Sequence, residues 1–497
     1  MTRQRDVLPG SSLAVVGGPL GRHASARATS WLATVLPLLV ASTATVALSV
    51  VQRAHCIQQG WNGSDQFWHA CFSDLPAQYQ LGNLGSGLAS YVGGDGARAD
   101  HPVLTGAVMA WLGGLVPDGS LLDQTRWYFA LWALLGAALV VAVVYLTAAS
   151  RPHHAADAAH VALSPVLLLA AMVSSDLFGV ALVSAGLWAW GRRRPVAAGV
   201  LLGLAVVART YPLLILLALV VLAVRTGRLA AVGRTLLAAV GAVAVVLLPF
   251  LVGHPSAILR STQVWWDSAA GLGSVWMLPQ LFGHPLPTGP TTLVTVVGLA
   301  VAVVAGTLFT LGTDRRPTVA EVALVLVGLS LVAGKSFPVQ ASLWLVPLVA
   351  LCGVRWRDHL LWAGAEALHF VAVWLYVGGL SKPDRGLPAG WYAAALVLRV
   401  AAVVYLVWRV WHTAARRAPA DLPSVDLAPA DPAPADLASR DLPSLESRSL
   451  GSLRDPADQD PSDPSKTEEW APAEVDPADG LDGDFAGAPD RLIVRLA

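Results

Sequence analysis

Charged residues are scarce in this 497-residue chain. Asp, Glu, Lys and Arg make up 13% of it, about half their share in an ordinary soluble domain. Hydrophobic residues reach 55%, and the mean hydropathy is +0.58. Uncharged apolar runs recur, such as 31–51 and 236–252, and about 20 such residues are long enough to cross a bilayer. This composition excludes a soluble globular protein and predicts an all-α polytopic membrane protein.

Motifs for nucleotide and metal binding are also missing from the sequence. There is no Walker motif, no dinucleotide-binding glycine loop and no His/Cys/Asp cluster with metal-ligand spacing. Acidic and basic residues balance at 33 each, and the basic excess of the apolar part is a topology signal rather than a nucleic-acid footprint. We therefore expect no cofactor, no metal and no nucleic-acid partner.

Arginine clusters between the apolar segments indicate the orientation of the chain, because basic loops face the cytoplasm. Both ends of the apolar part are basic, so an even number of crossings is expected. Segment 103–116 is short and contains a Gly pair, which predicts a re-entrant or interfacial helix. The remaining segments predict a bundle of about 12 transmembrane helices in the plasma membrane, with both termini in the cytoplasm.

Three regions follow from this topology. Residues 1–29 carry no signal-peptide pattern and form a predicted cytoplasmic stub. Residues 30–412 form the membrane domain, with a long outer loop at 52–125. Residues 413–497 are rich in Pro, Ala and Asp, a composition that cannot offset its ordering entropy. This last region is predicted to be a disordered acidic cytoplasmic tail, whose partner the sequence does not identify.

Two cysteines and an aspartate stand out in the outer loop. Cys56 and Cys71 lie fifteen residues apart on the side of the membrane where disulfides persist; they are either a disulfide or two free thiols. Asp74 precedes Leu75-Pro76 and is either a helix cap or a functional carboxylate.

Further polar groups occur at predicted outward turns. Asp100 and His101 begin the proposed re-entrant segment, where a carboxylate is costly unless it is hydrated or paired. Asp176 and Arg209 occupy the tips of adjacent hairpins. They either pair with one another, or Arg209 binds a lipid phosphate, for which its planar guanidinium is suited.

Aromatic residues and a lysine occupy the later outward regions. Trp265 and Trp266 are explained either as part of an interfacial aromatic belt or as a stacking surface for a sugar. Lys335 and Gln340 flank a Pro and belong either to a plain loop or to a site that needs a second cation.

These motifs, in this order, resemble the membrane glycosyltransferases of the GT-C superfamily, and within it glycosyltransferase family 87. That family comprises actinobacterial polyprenyl-phosphate-mannose-dependent mannosyltransferases. The resemblance covers roughly residues 30–412 and rests on six motifs, namely CFSDLP, DHPVLTG, SSDLFGVAL, VARTYPLLIL, GLGSVW and FPVQASLWLVPL. One departure concerns the last motif, since relatives often have Ser-Pro-Gln-Tyr where this chain has 337–340.

The resemblance implies roles for specific residues. Asp74 would be the catalytic base that deprotonates the acceptor hydroxyl, and Arg209 and Lys335 would bind the donor phosphate. The secondary site candidates are Asp100, His101 and Asp176, and the candidate sugar or acceptor contacts are Tyr211, Trp265, Trp266 and Gln340.

The implied function is transfer of a sugar, mannose in the family, from a lipid-linked donor to a cell-envelope glycolipid or glycan. The partners would then be that donor, the acceptor and the surrounding membrane lipids. Two alternatives remain open: a transporter or flippase for polyprenyl-linked sugars, and a non-catalytic envelope assembly subunit. A transporter would more often show paired repeats with broken helices at the midplane, whereas here the short hairpins are adjacent.

Overall fold

The computed structural model describes residues 30–92, 101–253, 255–416 and 481–494. Within these ranges every regular element is a helix and no strand occurs, as the composition predicts. The first ten α-helices are α1 (Trp31–Val51), α2 (Ala54–Gln59), α3 (Asp65–Trp68), α4 (Asp74–Leu81), α5 (Ala89–Val92), α6 (Val103–Gly113), α7 (Leu121–Ser150), α8 (Ala159–Ala162), α9 (Pro165–Ala170) and α10 (Asp176–Gly191).

The second half of the bundle continues in the same way. Its α-helices are α11 (Pro195–Ala208), α12 (Pro212–Thr226), α13 (Leu229–Gly253), α14 (Pro255–Asp267), α15 (Leu278–Leu281), α16 (Thr288–Gly312), α17 (Val319–Ala333), α18 (Val346–Leu351), α19 (Trp356–Ser381) and α20 (Ala389–Arg416). Short 3₁₀ helices occur at Leu84–Ser86, Pro152–Ala158, Val275–Met277, Val339–Trp344, Pro383–Arg385 and Gly483–Phe485.

Local sequence explains where several helices begin. Helices α9, α11 and α12 start at a proline, whose missing N–H is unpaired at a first helical position anyway. Helix α17 starts with a capping box: the Thr318 hydroxyl accepts from the Glu321 N–H, and the Glu321 carboxylate accepts from the Thr318 N–H.

Six helices among the described residues are long and apolar enough to cross a membrane: α1, α7, α13, α16, α19 and α20. Further apolar helices are shorter, including α6, α10, α11, α12 and α17. Helix α6 has 11 residues and is about 17 Å long, less than the roughly 30 Å hydrocarbon core. Twelve crossings and a re-entrant α6 both stay predictions.

Small residues allow the short helix α11 and the longer helix α13 to approach each other closely. A Cβ added to Gly199 would clash with the backbone of Thr235, and one added to Gly203 would clash with the backbone of Ala239. These two glycines lie four residues apart on α11 and face α13. This is the small-xxx-small geometry by which helices pack where burial of apolar surface gives no driving force.

A disulfide closes the segment between α1 and α4. Cys56 and Cys71 form a disulfide with a Cα–Cα distance of 5.9 Å, and the Trp61 indole N–H donates to the carbonyl oxygen of Cys71 at 3.2 Å. Of the two alternatives, the structure has the disulfide. It fixes the residues that lead directly into α4.

The interpretation of residues 413–497 as a wholly disordered tail is wrong at both ends. Helix α20 continues to Arg416, and residues 481–494 are packed against the membrane domain. Leu481 and Phe485 are buried there. Composition averaged over the whole tail hid this short segment, whose few apolar residues find their partners elsewhere in the chain.

Candidate active site

Asp74 is the first residue of α4, but it is not the helix cap. Ser73 is the N-cap, and its hydroxyl accepts from the Leu75 N–H at 3.4 Å and donates to the Met172 carbonyl at 2.7 Å. The Asp74 N–H donates to the Val173 carbonyl at 2.7 Å. The backbone here is therefore hydrogen-bonded to the turn before α10. The Asp74 carboxylate takes no part in capping the helix.

Gln340 meets Asp74 from the far end of the sequence. It lies on the 3₁₀ helix Val339–Trp344, and its Nε2 donates to Asp74 Oδ2 at 3.2 Å. The two residues are 266 positions apart. The displaced glutamine of the last motif thus lies beside the carboxylate that the first motif provides.

Asp74 and Gln340 form the polar part of an apolar cavity of about 270 Å³. Its lining residues are Phe67, Phe72, Asp74, Leu272, Pro338, Val339, Gln340, His369, Val373, Trp374 and Val377. The rings of Phe72 and Trp374 lie 4.6 Å apart, and those of Phe67 and Trp374 lie 6.0 Å apart. A mostly apolar cleft with a few convergent polar groups is the usual form of a ligand site.

His369 contributes a third polar side chain to the wall of this cavity. It lies on α19 and is 1% exposed. Neither of its ring nitrogens has a hydrogen-bond partner in the part of the chain that the structure describes. A buried imidazole in this state is costly, and the nitrogens remain available for a bound molecule.

Asp176 and Arg209 lie next to the cavity and pair with one another. The Arg209 Nη2 lies 3.0 Å from Asp176 Oδ2 and 3.1 Å from the Ser175 hydroxyl. The indole N–H of Trp344 donates to Asp176 Oδ1 at 2.8 Å, and Tyr211 stacks on Trp344 with ring centroids 4.5 Å apart. The pairing alternative is therefore the one that the structure has.

These charges act on the titratable groups nearby. Burial, and then the negative charge of Asp176, raise the pKa of Asp74 to about 7, while Arg209 and the Gln340 hydrogen bond oppose the rise. Burial, and then the charge of Arg209, lower the pKa of His101 to about 4. Near neutral pH, Asp74 is thus poised between acid and base, and His101 is neutral.

Lys335 does not face the cavity. Its ammonium group donates to the carbonyls of Trp265 and Trp266 at 3.0 and 2.9 Å and to the Thr292 hydroxyl at 2.7 Å. The ammonium also lies 5.2 Å from the ring centroid of Trp265. Two of its protons bind the end of α14 and the third binds Thr292 on α16, so a phosphate would have to displace these contacts. The Trp266 ring, by contrast, is exposed.

A buried ion pair supports the turn that carries Gln340. Arg399 on α20 lies 2.7 Å from the carboxylate of Glu366 on α19. The same guanidinium donates to the carbonyls of Phe337 and Pro338 and to the Ser342 hydroxyl at 2.9 Å. Arg399 is 0% exposed. A buried cation that binds successive backbone groups fixes the 337–342 turn and, with it, the position of Gln340.

The GLGSVW motif packs against the same turn. The Gly273 N–H donates to the Tyr392 hydroxyl at 3.1 Å, and the Ser274 hydroxyl donates to the Gly334 carbonyl at 2.7 Å. Gly273 has φ +80°, and a Cβ there would clash with the Phe337 carbonyl. Only glycine suits this backbone conformation at such close approach.

Four residues of this arrangement were not singled out from the sequence: Trp344, Glu366, His369 and Arg399. A signal was available for three of them, because ionisable or imidazole side chains inside apolar helices are functional candidates by default. Trp344 carried no such signal.

Asp100 lies outside the described residues. The described residues contain no group of three or more His, Cys, Asp or Glu side chains that could hold a metal ion.

Residues 101–334 match the model of glycosyltransferase family 87. Over these residues the chain is similar to glycosyltransferase family 87. The match includes His101, Asp176 and Arg209 and one residue of the cavity wall, Leu272, whereas Asp74, Gln340 and the other residues of the cavity wall lie outside it. A comparison with curated proteins found no match to the chain. Family 87 and the apolar helices together make this protein a membrane glycosyltransferase.

Proposed function

We propose that this protein transfers a sugar, mannose in the first instance, from a polyprenyl-phosphate donor to a glycolipid or glycan of the cell envelope. The reaction takes place at the extracytoplasmic face of the plasma membrane, with both termini of the chain in the cytoplasm. The observation that carries the proposal is Asp74, a carboxylate with a pKa of about 7 in an apolar cavity.

In the proposed reaction Asp74 is the general base. Its carboxylate takes the proton of the acceptor hydroxyl as the acceptor oxygen bonds to the anomeric carbon. The bond from that carbon to the donor phosphate breaks, and the electron pair leaves with polyprenyl phosphate. Because the phosphate is already a good leaving group, no general acid is needed.

The neighbouring side chains have supporting roles in this proposal. Gln340 orients the Asp74 carboxylate through its 3.2 Å hydrogen bond. His369, another residue of the cavity wall, contacts the bound sugar, since its nitrogens have no partner among the described residues. Arg209, 15% exposed and paired with Asp176, stabilises charge that develops on the phosphate. Trp266 stays a proposed contact of sugar or lipid.

The test is sugar transfer in membranes that contain the wild type, Asp74→Asn or Asp65→Asn, with labelled polyprenyl-phosphate-mannose as donor and envelope lipids as acceptor. Asp65 is exposed in the same loop, so its substitution is a matched control for the change from acid to amide. We expect Asp74→Asn to lower transfer by about 10²–10⁴-fold and Asp65→Asn to leave it unchanged.

Two results would count against the proposal. Equal transfer by Asp74→Asn and wild type would exclude Asp74 as the base. No product from the wild type would exclude this donor, and it would favour the transporter or the assembly subunit.

A further inference from the structure

The C-terminal residues 481–494 occupy a socket on the membrane domain. The socket is formed by the ends of three helices and one loop: Trp190 in the last turn of α10, Arg225 in that of α12, Leu311 in that of α16, and Arg316 after α16. Helix α10 begins at Asp176 beside the candidate active site, and its 16 residues span about 24 Å. The socket is therefore at the opposite end of this helix from the site.

Asp490 is the charged anchor of the segment. Its two oxygens bind different arginines: Oδ2 lies 2.8 Å from Arg225 Nη2, and Oδ1 lies 2.7 Å from Arg316 Nε. Arg225 is 0% exposed, and its other contacts shown here are the Thr310 and Asp314 carbonyls and the Thr313 hydroxyl. Among the described residues, Asp490 is the carboxylate that pairs with Arg225, and removing it would leave a fully buried cation without that partner, which is strongly destabilising.

Phe485 is the apolar anchor. It is 1% exposed, and its ring lies 5.0 Å from that of Trp190, which is itself fully buried. Arg316 reaches back to the same stretch and donates to the carbonyls of Phe485 and Ala488. One guanidinium thus binds the acidic anchor and the backbone next to the aromatic anchor.

Backbone hydrogen bonds complete the socket. The Arg491 N–H donates to the Arg225 carbonyl at 2.7 Å, and the Val494 N–H donates to the Leu311 carbonyl at 2.9 Å. Both acceptors lie in the last turn of a helix, where carbonyls have no partner within the helix. The segment supplies the donors that these helix ends need, so it matches the socket in shape, charge and hydrogen bonding.

The other end of the tail is close to the same place. Helix α20, which ends at Arg416, packs its Trp411 against Phe309 with ring centroids 4.9 Å apart. Phe309 is two residues from Leu311, which accepts from Val494. The described residues on both sides of 417–480 therefore contact the same end of α16.

From these contacts we infer that residues 481–494 are an intramolecular ligand of the membrane domain. The Arg225/Arg316/Trp190 socket is an interaction surface for an aromatic side chain followed five residues later by a carboxylate. Its occupant is residues 481–494 of the same chain. This inference does not depend on the sugar, the donor or the catalytic base.

Disulfide trapping in the intact chain tests the inference. In a Cys352→Ala background, Gly312→Cys is combined with Val494→Cys, because a Cβ at Gly312 would lie 3.5 Å from the Val494 carbonyl oxygen. After mild oxidation, the chain is cut at a protease site inserted at Gly451 and run on a denaturing gel. The matched control pairs Val494→Cys with Gly289→Cys at the other end of α16, about 35 Å away.

We expect the C-terminal fragment to stay attached in the Gly312 pair under non-reducing conditions, to be released by reductant, and to be free in the Gly289 pair. Adding Asp490→Asn should lower the trapped fraction, because two charge-assisted hydrogen bonds are lost. Adding Asp484→Asn should leave the trapped fraction unchanged. This substitution removes the same charge, but Asp484 has no ion pair among the described residues.

Two outcomes would overturn the inference. One is a trapped fraction no higher in the Gly312 pair than in the Gly289 pair, which would mean that the segment does not dock. The other is an equal trapped fraction with Asp490→Asn and Asp484→Asn, which would mean that the two arginines do not hold it. Recovery of each variant as a monodisperse protein in detergent excludes misfolding as the cause.

Discussion

The charges around Asp74 predict opposite pH shifts for two substitutions. If Asp74 is the base, transfer requires its ionised form, so activity rises with pH through the pKa of about 7 and is lost below it. Asp176→Asn removes the negative charge that raises this pKa and leaves Arg209 unopposed, so the midpoint should fall. Arg209→Gln removes the charge that opposes the rise, so the midpoint should move to higher pH.

The size of the effect follows from the titration curve. At pH 6 an acid with a pKa of about 7 is ionised in about one chain in eleven, and a decrease of about one unit brings that to one half. Asp176→Asn should therefore retain about fivefold more of its own plateau activity at pH 6 than the wild type does. Normalising each variant to its plateau separates this shift from any loss of turnover.

The assay is the initial rate of sugar transfer between pH 5 and 9, at saturating donor and acceptor, for wild type and both variants. Asp123→Asn is the control, because Asp123 is a partly exposed acid that pairs with Arg126 and is not among the charges that shift the pKa of Asp74. The same midpoint in all four proteins, or shifts of one sign in both variants, would refute Asp74 as the titrating base.

Three further predictions concern the framework of the site. Cys71→Ser should lower the free energy of unfolding by about 3 kcal/mol for a 15-residue loop, measured against Cys352→Ser by thermal unfolding; an equal effect of both would contradict it. Arg399→Met should destabilise by about 3–5 kcal/mol because Glu366 stays buried without its partner, whereas the exposed Arg385→Met should not; similar melting temperatures would count against this role. His369→Leu should lower transfer by about tenfold or more without lowering the melting temperature. His359→Leu, on the same helix and also buried but outside the cavity wall, should leave transfer unchanged, and equal losses would show a packing effect.

The properties that depend on nearby residues were predictable from the sequence. Low charge and long apolar runs determined that the chain is helical and lies in a membrane, because hydropathy and segment length are summed over about 20 neighbours. The spacing of Cys56 and Cys71 allowed the disulfide, and adjacent hairpin tips allowed the Asp176–Arg209 pair. In both cases the sequence left a second alternative open, since it carries no distance between side chains.

Tertiary structure alone decided how these parts combine. Gln340 and Asp74 are 266 residues apart, Trp344 and Asp176 are 168 apart, and Asp490 and Arg225 are 265 apart. Such contacts depend on how helices pack, which periodicity within one helix does not encode. For the same reason Lys335, which the sequence left as a loop residue or a second cation, binds the end of α14, and residues 481–494 of a tail judged by composition lie in a socket of helix ends. The sequence by itself determined that the chain is helical and lies in a membrane. The packing of the helices determined which side chains meet.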